Sequence, residues 1–338
     1  MMAFVVQKGG DVDVLEQIHM PVPQLRPRDV LIRITSCAVN PIDTKLRAAV
    51  TPAGGSPKIL GYDGAGVVEA LGPEATMFKI GDAVYCAGVH TRNGTNAELV
   101  AVDERIVGHA PKSVVATVAS SVPLVALTVW EGLEQLGLNP QSPISGKKRL
   151  LMLPGAGGVG SYGIQLAKIC GVEIVATASR PESEAACKDL GADYVINHRE
   201  PLKPQLEALG IHGVDYIYDA VSFEAYAEQF CDIIKPFGKI VSITSFGSAN
   251  LDKFKPKAVS ICWEFMFARA MHETDDMAHQ QEILHAVASL IDAGELKTPV
   301  WKVLPWCLES LKDAHTLQQS GKAIGKIVMT RMPVASGL

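Results

Sequence analysis

The segment Leu151-Met152-Leu153-Pro154-Gly155-Ala156-Gly157-Gly158-Val159-Gly160 holds the sharpest chemical signal in this chain. An apolar run leads into Gly155-x-Gly157-x-x-Gly160, and residues 161–170 have helical composition. In this order the first glycine permits a tight turn. The second lets a pyrophosphate approach the backbone, and the third allows close packing of helix on strand. The helix start adds unbonded N–H groups and the positive end of its dipole. The spacing points to a dinucleotide, with Gly155, Gly157, Gly158, Val159 and Gly160 against its phosphates. A Gly-rich turn in another α/β protein is the plainer alternative. The next apolar run, ending at Thr177, bears on which dinucleotide. NAD sites place an acid about 20 residues past the loop, on the ribose 2′-hydroxyl. Here Ala178 takes that place, followed by Ser179 and Arg180. A carboxylate would repel a 2′-phosphate, whereas a hydroxyl and a guanidinium bind one. This favours NADPH over NADH; the plain alternative makes Arg180 a solvated loop residue.

Metal chemistry has no comparable pattern. The seven cysteines are scattered and form no CxxC pair, so neither a zinc ribbon nor a disulfide framework is expected. Their apolar surroundings suit reduced thiols in a reducing compartment. Cys86 and His90 lie four residues apart, but two candidates without a third read as ordinary strand and loop residues. No metal site is expected.

The elements that must hold these residues change character near residue 125. Before it come short β-like runs punctuated by Gly, Pro and Asp, at 30–34, 66–70 and 97–101. They predict a β-rich domain, of barrel type. Residues 149–245 alternate apolar strands (149–153, 173–177, 194–196, 216–219, 239–243) with helix-like segments at 161–170, 182–190 and 223–234. That rhythm predicts a doubly wound parallel sheet. A helix over 277–293 and a strand, helix, strand tail at 298–303, 305–319 and 326–330 complete the chain.

The chain has 338 residues, 48% hydrophobic and 20% charged, with a formal net charge of −5. The length suits two domains. A mildly acidic chain without basic runs has no electrostatic footprint for nucleic acid or an anionic membrane. The opening run 1–6 is too short for a signal peptide's apolar region and reads as a first strand. No stretch of about 18 apolar residues could span a membrane. A cytoplasmic protein is expected.

Residues 61–68, 81–85, 126–131 and the loop 155–160 together resemble the medium-chain dehydrogenase/reductase superfamily over nearly the whole chain. Residues 178–183 and 266–269 are most similar to its zinc-lacking quinone oxidoreductases and zinc-type alcohol dehydrogenase-like members. The resemblance implies an α/β fold: a GroES-like β-barrel domain of residues 1–124 and 270–338, and a Rossmann domain of residues 125–269. The cofactor would lie in the cleft, its nicotinamide reaching the barrel domain, and the protein would form a homodimer. Zinc members ligate the metal with two Cys and a His, which correspond here to Asn40, Tyr62 and Leu124; zinc wants thiolate, imidazole or carboxylate instead. The lobe of four structural cysteines is also missing. Asn40 and Tyr62 become substrate-pocket residues and hydrogen-bond donors, with Tyr62 alternatively a space filler. Asp43 and Asp63 would be structural, bonded to backbone, Lys45 or Arg47. Thr128 resembles the family Thr near the nicotinamide. His198 stands where related quinone reductases carry a Tyr near the 2′-phosphate. Ligands bind at the carboxyl ends of strands in such sheets. Asp219 and Val221, and Thr244, Ser245 and Phe246, would therefore line the cofactor, with Lys326 reaching it from the tail. The aromatic segment 251–271 is open between a cleft cover, a dimer contact and buried core.

These readings imply an NADPH-dependent, zinc-free oxidoreductase that transfers hydride to a quinone, enone or related small carbonyl. The alternatives are an enoyl-thioester reductase of the same fold, a non-catalytic NADPH-binding protein and a zinc alcohol dehydrogenase.

Overall fold

The computed structural model describes residues 1–50 and 55–332. The chain divides into two units, Met1–Leu127 with Phe267–Leu338, and Thr128–Met266. The sequence reading places these changes at 125 and 269. The first unit opens with β1 (Met2–Val6), β2 (Leu15–His19), β3 (Asp29–Val39), β4 (Lys58–Ile59), β5 (Gly64–Leu71), β6 (Ala83–Cys86), β7 (Leu99–Asp103) and β8 (Val107–His109). The second carries β9 (Arg149–Leu153), β10 (Glu173–Thr177), β11 (Tyr194–Ile196), β12 (Val214–Asp219), β13 (Ile234–Ser242) and β14 (Ser260–Trp263). The chain then returns to the first unit with β15 (Val300–Pro305) and β16 (Lys326–Thr330).

In the first unit a seven-stranded sheet runs β15-β16-β3-β5-β6-β8, with β7 also paired to β3, beside a small sheet β2-β1-β4. The long strand β3 is its hub. Val30, Ile32, Ile34, Cys37 and Val39 are all buried, because strands β16, β5 and β7 pair along it. The register sets Val39 opposite Ile327 and Cys37 opposite Gly64. The ends of three strands, with Asn40, Asp63 and Lys326 beside them, are thereby drawn together.

The second unit is the α/β sheet, a fully parallel array in the order β11-β10-β9-β12-β13-β14. Counted from β9 this is 3-2-1-4-5-6, the dinucleotide-binding order, which reverses direction beside β9. Leu150, Leu151, Met152 and Leu153 are buried without remainder, as a central strand with both faces covered requires. The helices Gly158–Ile169, Pro181–Asp189, Leu202–Ala208 and Phe223–Ile233 alternate with these strands.

The segment 251–271 holds a 3-10 helix at Leu251–Lys257, strand β14 and a short helix at Ala268–His272. It completes the sheet rather than forming one apolar block. Trp263 and Phe265 are exposed, while Met266 and Phe267 are buried. Among the described residues, no helix is long and apolar enough to cross a membrane.

Candidate functional site

The phosphate loop leaves the carboxyl end of β9 and enters the helix Gly158–Ile169, which Gly157 caps without a side-chain bond. The Gly155 N–H donates to the Thr177 carbonyl at 2.8 Å, tying the loop to the end of β10. The three motif glycines have different reasons to be glycine. A Cβ on Gly155 would press on Cys187 Sγ at 2.6 Å and Ala176 Cβ at 2.8 Å. One on Gly160 would collide with the Pro154 carbonyl oxygen. One on Gly157 would meet nothing nearer than Pro154 Cγ at 3.8 Å. Packing within the chain thus explains Gly155 and Gly160 and leaves Gly157 unexplained. A ligand that lies directly on the backbone explains it, and a pyrophosphate at a helix N-terminus fits. Gly158 and Val159 form the first turn of that helix.

Beside this loop, β10 and β11 run parallel with Thr177 opposite Ile196. Ser179 and Arg180 therefore follow one strand end while His198 and Arg199 follow the other. Arg180 Nε donates to Glu182 at 2.7 Å. His198 is half-buried, its carbonyl accepts from Tyr226 at 2.9 Å, and its Nδ1 is buried without a partner. Burial, then the charges of Arg199 and Arg180, hold its pKa below the ordinary value. A neutral imidazole and two guanidiniums, one of them paired with Glu182, gather beyond these two strand ends, and no acid stands at position 178 to repel a 2′-phosphate. The sequence reading passed over Arg199; its signal was the basic pair just beyond a strand. The Thr177 hydroxyl is likewise buried without a partner.

At the ends of β12 and β13 the expected cofactor residues bond to one another. The buried Asp219 carboxylate accepts from Ser242 at 2.7 Å, Thr244 at 3.2 Å, and the N–H groups of Val221 at 3.0 Å and Ser222 at 3.1 Å. Asp219 thus shapes the two loops, leaving Val221 and Ser245 exposed. Phe246 is buried against Phe223 and stacks on Trp263 with centroids 4.2 Å apart. The Thr128 carbonyl accepts from the Tyr218 hydroxyl at 2.7 Å.

The first unit holds a second cluster. The wholly buried Asp63 carboxylate accepts from Asn40 Nδ2 at 2.7 Å, the Leu124 N–H at 2.7 Å and Lys326 Nζ at 2.8 Å. Lys326 Nζ also donates to Asn40 Oδ1. The Asp43 carboxylate accepts from the N–H groups of Asn40 at 2.7 Å and Gly61 at 3.0 Å. Burial lifts its pKa to about 7. The acids are bonded to backbone, Asn40 and Lys326, not to Lys45 or Arg47. Arg47 instead bonds Gly10, His315 and Gln319. Lys326 sits inside this cluster, its ammonium on Asn40 and Asp63.

A catalytic zinc does not fit here. The three positions present an amide already bonded on both its atoms, a phenol and a leucine, and an ammonium sits among them. A dication would meet repulsion and too few donors. Among the described residues, no three His, Cys, Asp or Glu side chains are placed to hold a metal.

Tyr62 differs from its neighbours. Its side chain is fully buried, yet its hydroxyl has no partner. Its ring meets Phe267 edge-on with centroids 5.4 Å apart. An unpaired buried hydroxyl costs about 1–3 kcal/mol, so a ligand oxygen that accepted from it would recover that cost.

Comparison with known proteins agrees with this architecture. Residues 26–112 match the alcohol dehydrogenase GroES-like domain, and residues 190–329 match the zinc-binding dehydrogenase family. A Staphylococcus aureus zinc-type alcohol dehydrogenase-like protein is 38% identical over 332 residues, covering 96% of this chain and 97% of its own. The chain belongs to the medium-chain dehydrogenase/reductase superfamily. It is an oxidoreductase of that superfamily. A solved Rhizobium etli structure, provisionally assigned as a zinc-dependent alcohol dehydrogenase, is 38% identical. It superposes with a TM-score of 0.92 over 98% of each chain. The 2-methylene-furan-3-one reductase of Solanum lycopersicum is 32% identical over 96% of this chain and 77% of its own.

Proposed function

We propose that this member is a zinc-free, NADPH-dependent reductase of small conjugated carbonyls, enones or quinones. The observation that carries the reading is the pair of unmet demands: Gly157, which the chain's own packing does not require, and the partnerless Tyr62 hydroxyl. The loop 155–160 would hold the pyrophosphate through its N–H groups. Ser179, Arg180, His198 and Arg199 would hold the 2′-phosphate. NADPH, when bound, supplies the hydride.

A conjugated substrate suits a site without a metal. Its negative charge develops on an oxygen remote from the carbon attacked, so hydrogen-bond donors suffice to stabilise it. Tyr62 is the donor with no other acceptor. Asn40 takes a supporting role, since its amide is engaged by Asp63 and Lys326. The similarity to a tomato reductase named for a methylene-furanone, itself an enone, supports this substrate class.

Fluorescence titration with NADPH and NADH tests the cofactor reading. Wild type should bind NADPH more tightly, and Arg180→Ala should weaken NADPH about tenfold, one charge-assisted hydrogen bond's worth, with NADH unaffected. Equal or tighter binding of NADH by wild type would contradict it.

A further inference from the structure

A cavity of about 270 Å³ opens within the first unit. Residues 26–28, the loop 88–93, the end of β7 with the turn after it, and the helix Ala268–His272 contribute its walls. Neither Tyr62 nor Phe267 lines it, so it is distinct from the substrate site proposed above. Its volume falls just short of the about 300–1,000 Å³ usual for ligand pockets, which suits a small occupant.

Four arginines line it: Arg26, Arg28, Arg92 and Arg105. Carboxylates hold three of them in place. Arg92 donates through both Nη atoms to Asp29, at 2.8 and 2.6 Å. Arg105 donates through Nε and Nη2 to Asp103, at 2.9 and 2.8 Å. Arg28 Nη2 lies 2.7 Å from Glu104 Oε1. Asp29 and Glu104 are buried and tied to backbone in turn. Asp29 accepts from the Arg26 N–H at 2.8 Å, and Glu104 from the N–H groups of Thr76 and Met77, each at 2.7 Å. Side chains supported in this way are preorganised for recognition. Each guanidinium has five N–H donors, so the anchored ones keep donors to spare. The Arg26 guanidinium bonds to no acceptor among the described residues.

Acids are present at the mouth as well. Glu74 and Glu273 line the cavity and are exposed, and their carboxylates accept no hydrogen bond among the described residues. With Asp29, Asp103 and Glu104 they set five carboxylates against four guanidiniums, so a simple anion gains nothing from net charge here. The groups left unmatched are of both signs: one guanidinium and two carboxylates. The rest of the lining is largely apolar, and Val89, Ala101, Ile106 and Met277 are buried side chains that face it.

We infer that this cavity binds a small zwitterion, an α-amino acid with an apolar side chain. The ligand carboxylate accepts charge-assisted hydrogen bonds from Arg26 and from the spare donors of Arg28 and Arg105. Its ammonium donates to Glu74 and Glu273. Its side chain covers Val89, Ala101, Ile106 and Met277, where removal of apolar surface from water favours binding. The assignment stands independently of the hydride-transfer proposal.

Isothermal titration calorimetry of the full chain with L-leucine is the test, beside two relatives that each lack one charge. N-acetyl-L-leucine lacks the ammonium, and L-leucinamide lacks the carboxylate. Leucine should bind, and each relative should bind at least tenfold more weakly, the scale of a lost charge-assisted hydrogen bond. Arg26→Gln should weaken leucine about tenfold for the same reason, with the melting temperature unchanged because its side chain has no partner to lose. The double variant Glu74→Gln with Glu273→Gln should weaken leucine too. No heat of binding at about 10 mM leucine, ten times the upper end of about 1 mM usual for small substrates, would overturn the proposal. Either relative binding as tightly as leucine would overturn the zwitterion reading. Leucine binding that neither Arg26→Gln nor the double variant altered would place the ligand elsewhere and overturn the site.

Discussion

The two units solve opposite problems. In the α/β unit the site is a set of gaps: a glycine that packing does not crowd, a helix start without a side-chain cap, a buried imidazole nitrogen without a partner. In the barrel unit the site is filled, with an acid, an amide and an ammonium satisfying one another out of reach of water. The first region leaves polar groups and backbone unengaged, whereas the second balances its charges internally. Tyr62 is the exception within the second region, and for that reason it carries the substrate proposal there.

The comparison can be broken most forcefully at Lys326. Lys326→Met would leave the Asp63 carboxylate buried without its cation, a change that costs about 3–5 kcal/mol. Thermal unfolding should show a large loss of stability, and Asp63→Asn in the same chain should restore much of it. The sign of the pH dependence follows from the Asp63 pKa, which burial raises even with Lys326 present. A carboxyl whose folded pKa lies above its unfolded value of about 3.9 favours folding at low pH. That favour is lost as pH rises through the interval between the two values. The variant should therefore regain stability in acid. A melting temperature equal to wild type would mean the cluster is not balanced in this way.

A smaller effect distinguishes the glycines. Gly157→Ala should lower the melting temperature less than Gly160→Ala does, because its Cβ meets only Pro154 Cγ at 3.8 Å, but should weaken NADPH at least tenfold, about 1.4 kcal/mol. Gly160→Ala should lower both, because its Cβ meets backbone. If Gly157→Ala bound NADPH as wild type does, no ligand contact would explain the glycine there.

The smallest effect expected is a pH dependence of cofactor choice. A 2′-phosphate against His198 would raise the pKa that burial and two arginines hold down. Raised in the complex, it makes binding stronger as pH falls. The preference for NADPH over NADH should grow as pH falls through and below the ordinary imidazole range, about 6.5. His198→Gln should flatten that trend.

What was legible in the sequence follows from how local each feature is. The loop 155–160 and its flanking strand and helix lie within a few turns of chain, and the apolar runs of β9 and β10 reflect burial on both faces. Strand β14 left no such trace, because as an edge strand its Trp263 and Ser260 face water. The Asp63 cluster was readable only in part. Asn40 and Lys326 are separated by 286 positions, and no spacing rule reaches so far. The pairing of β16 with β3 brings them together, so Lys326 read as a cofactor residue before its partners were known. His90 has no third metal ligand in its stretch of sequence, and only the folded loop sets its ring against Phe267.

The most direct test of the account is turnover by metal-free protein. After exhaustive chelation and confirmation that no zinc remains, NADPH oxidation would be followed with a quinone, an enone and a simple aldehyde. The account predicts reduction of the quinone or enone, with NADPH preferred to NADH and no gain on adding zinc. Activity that appeared only with zinc, or only on the aldehyde, would contradict it.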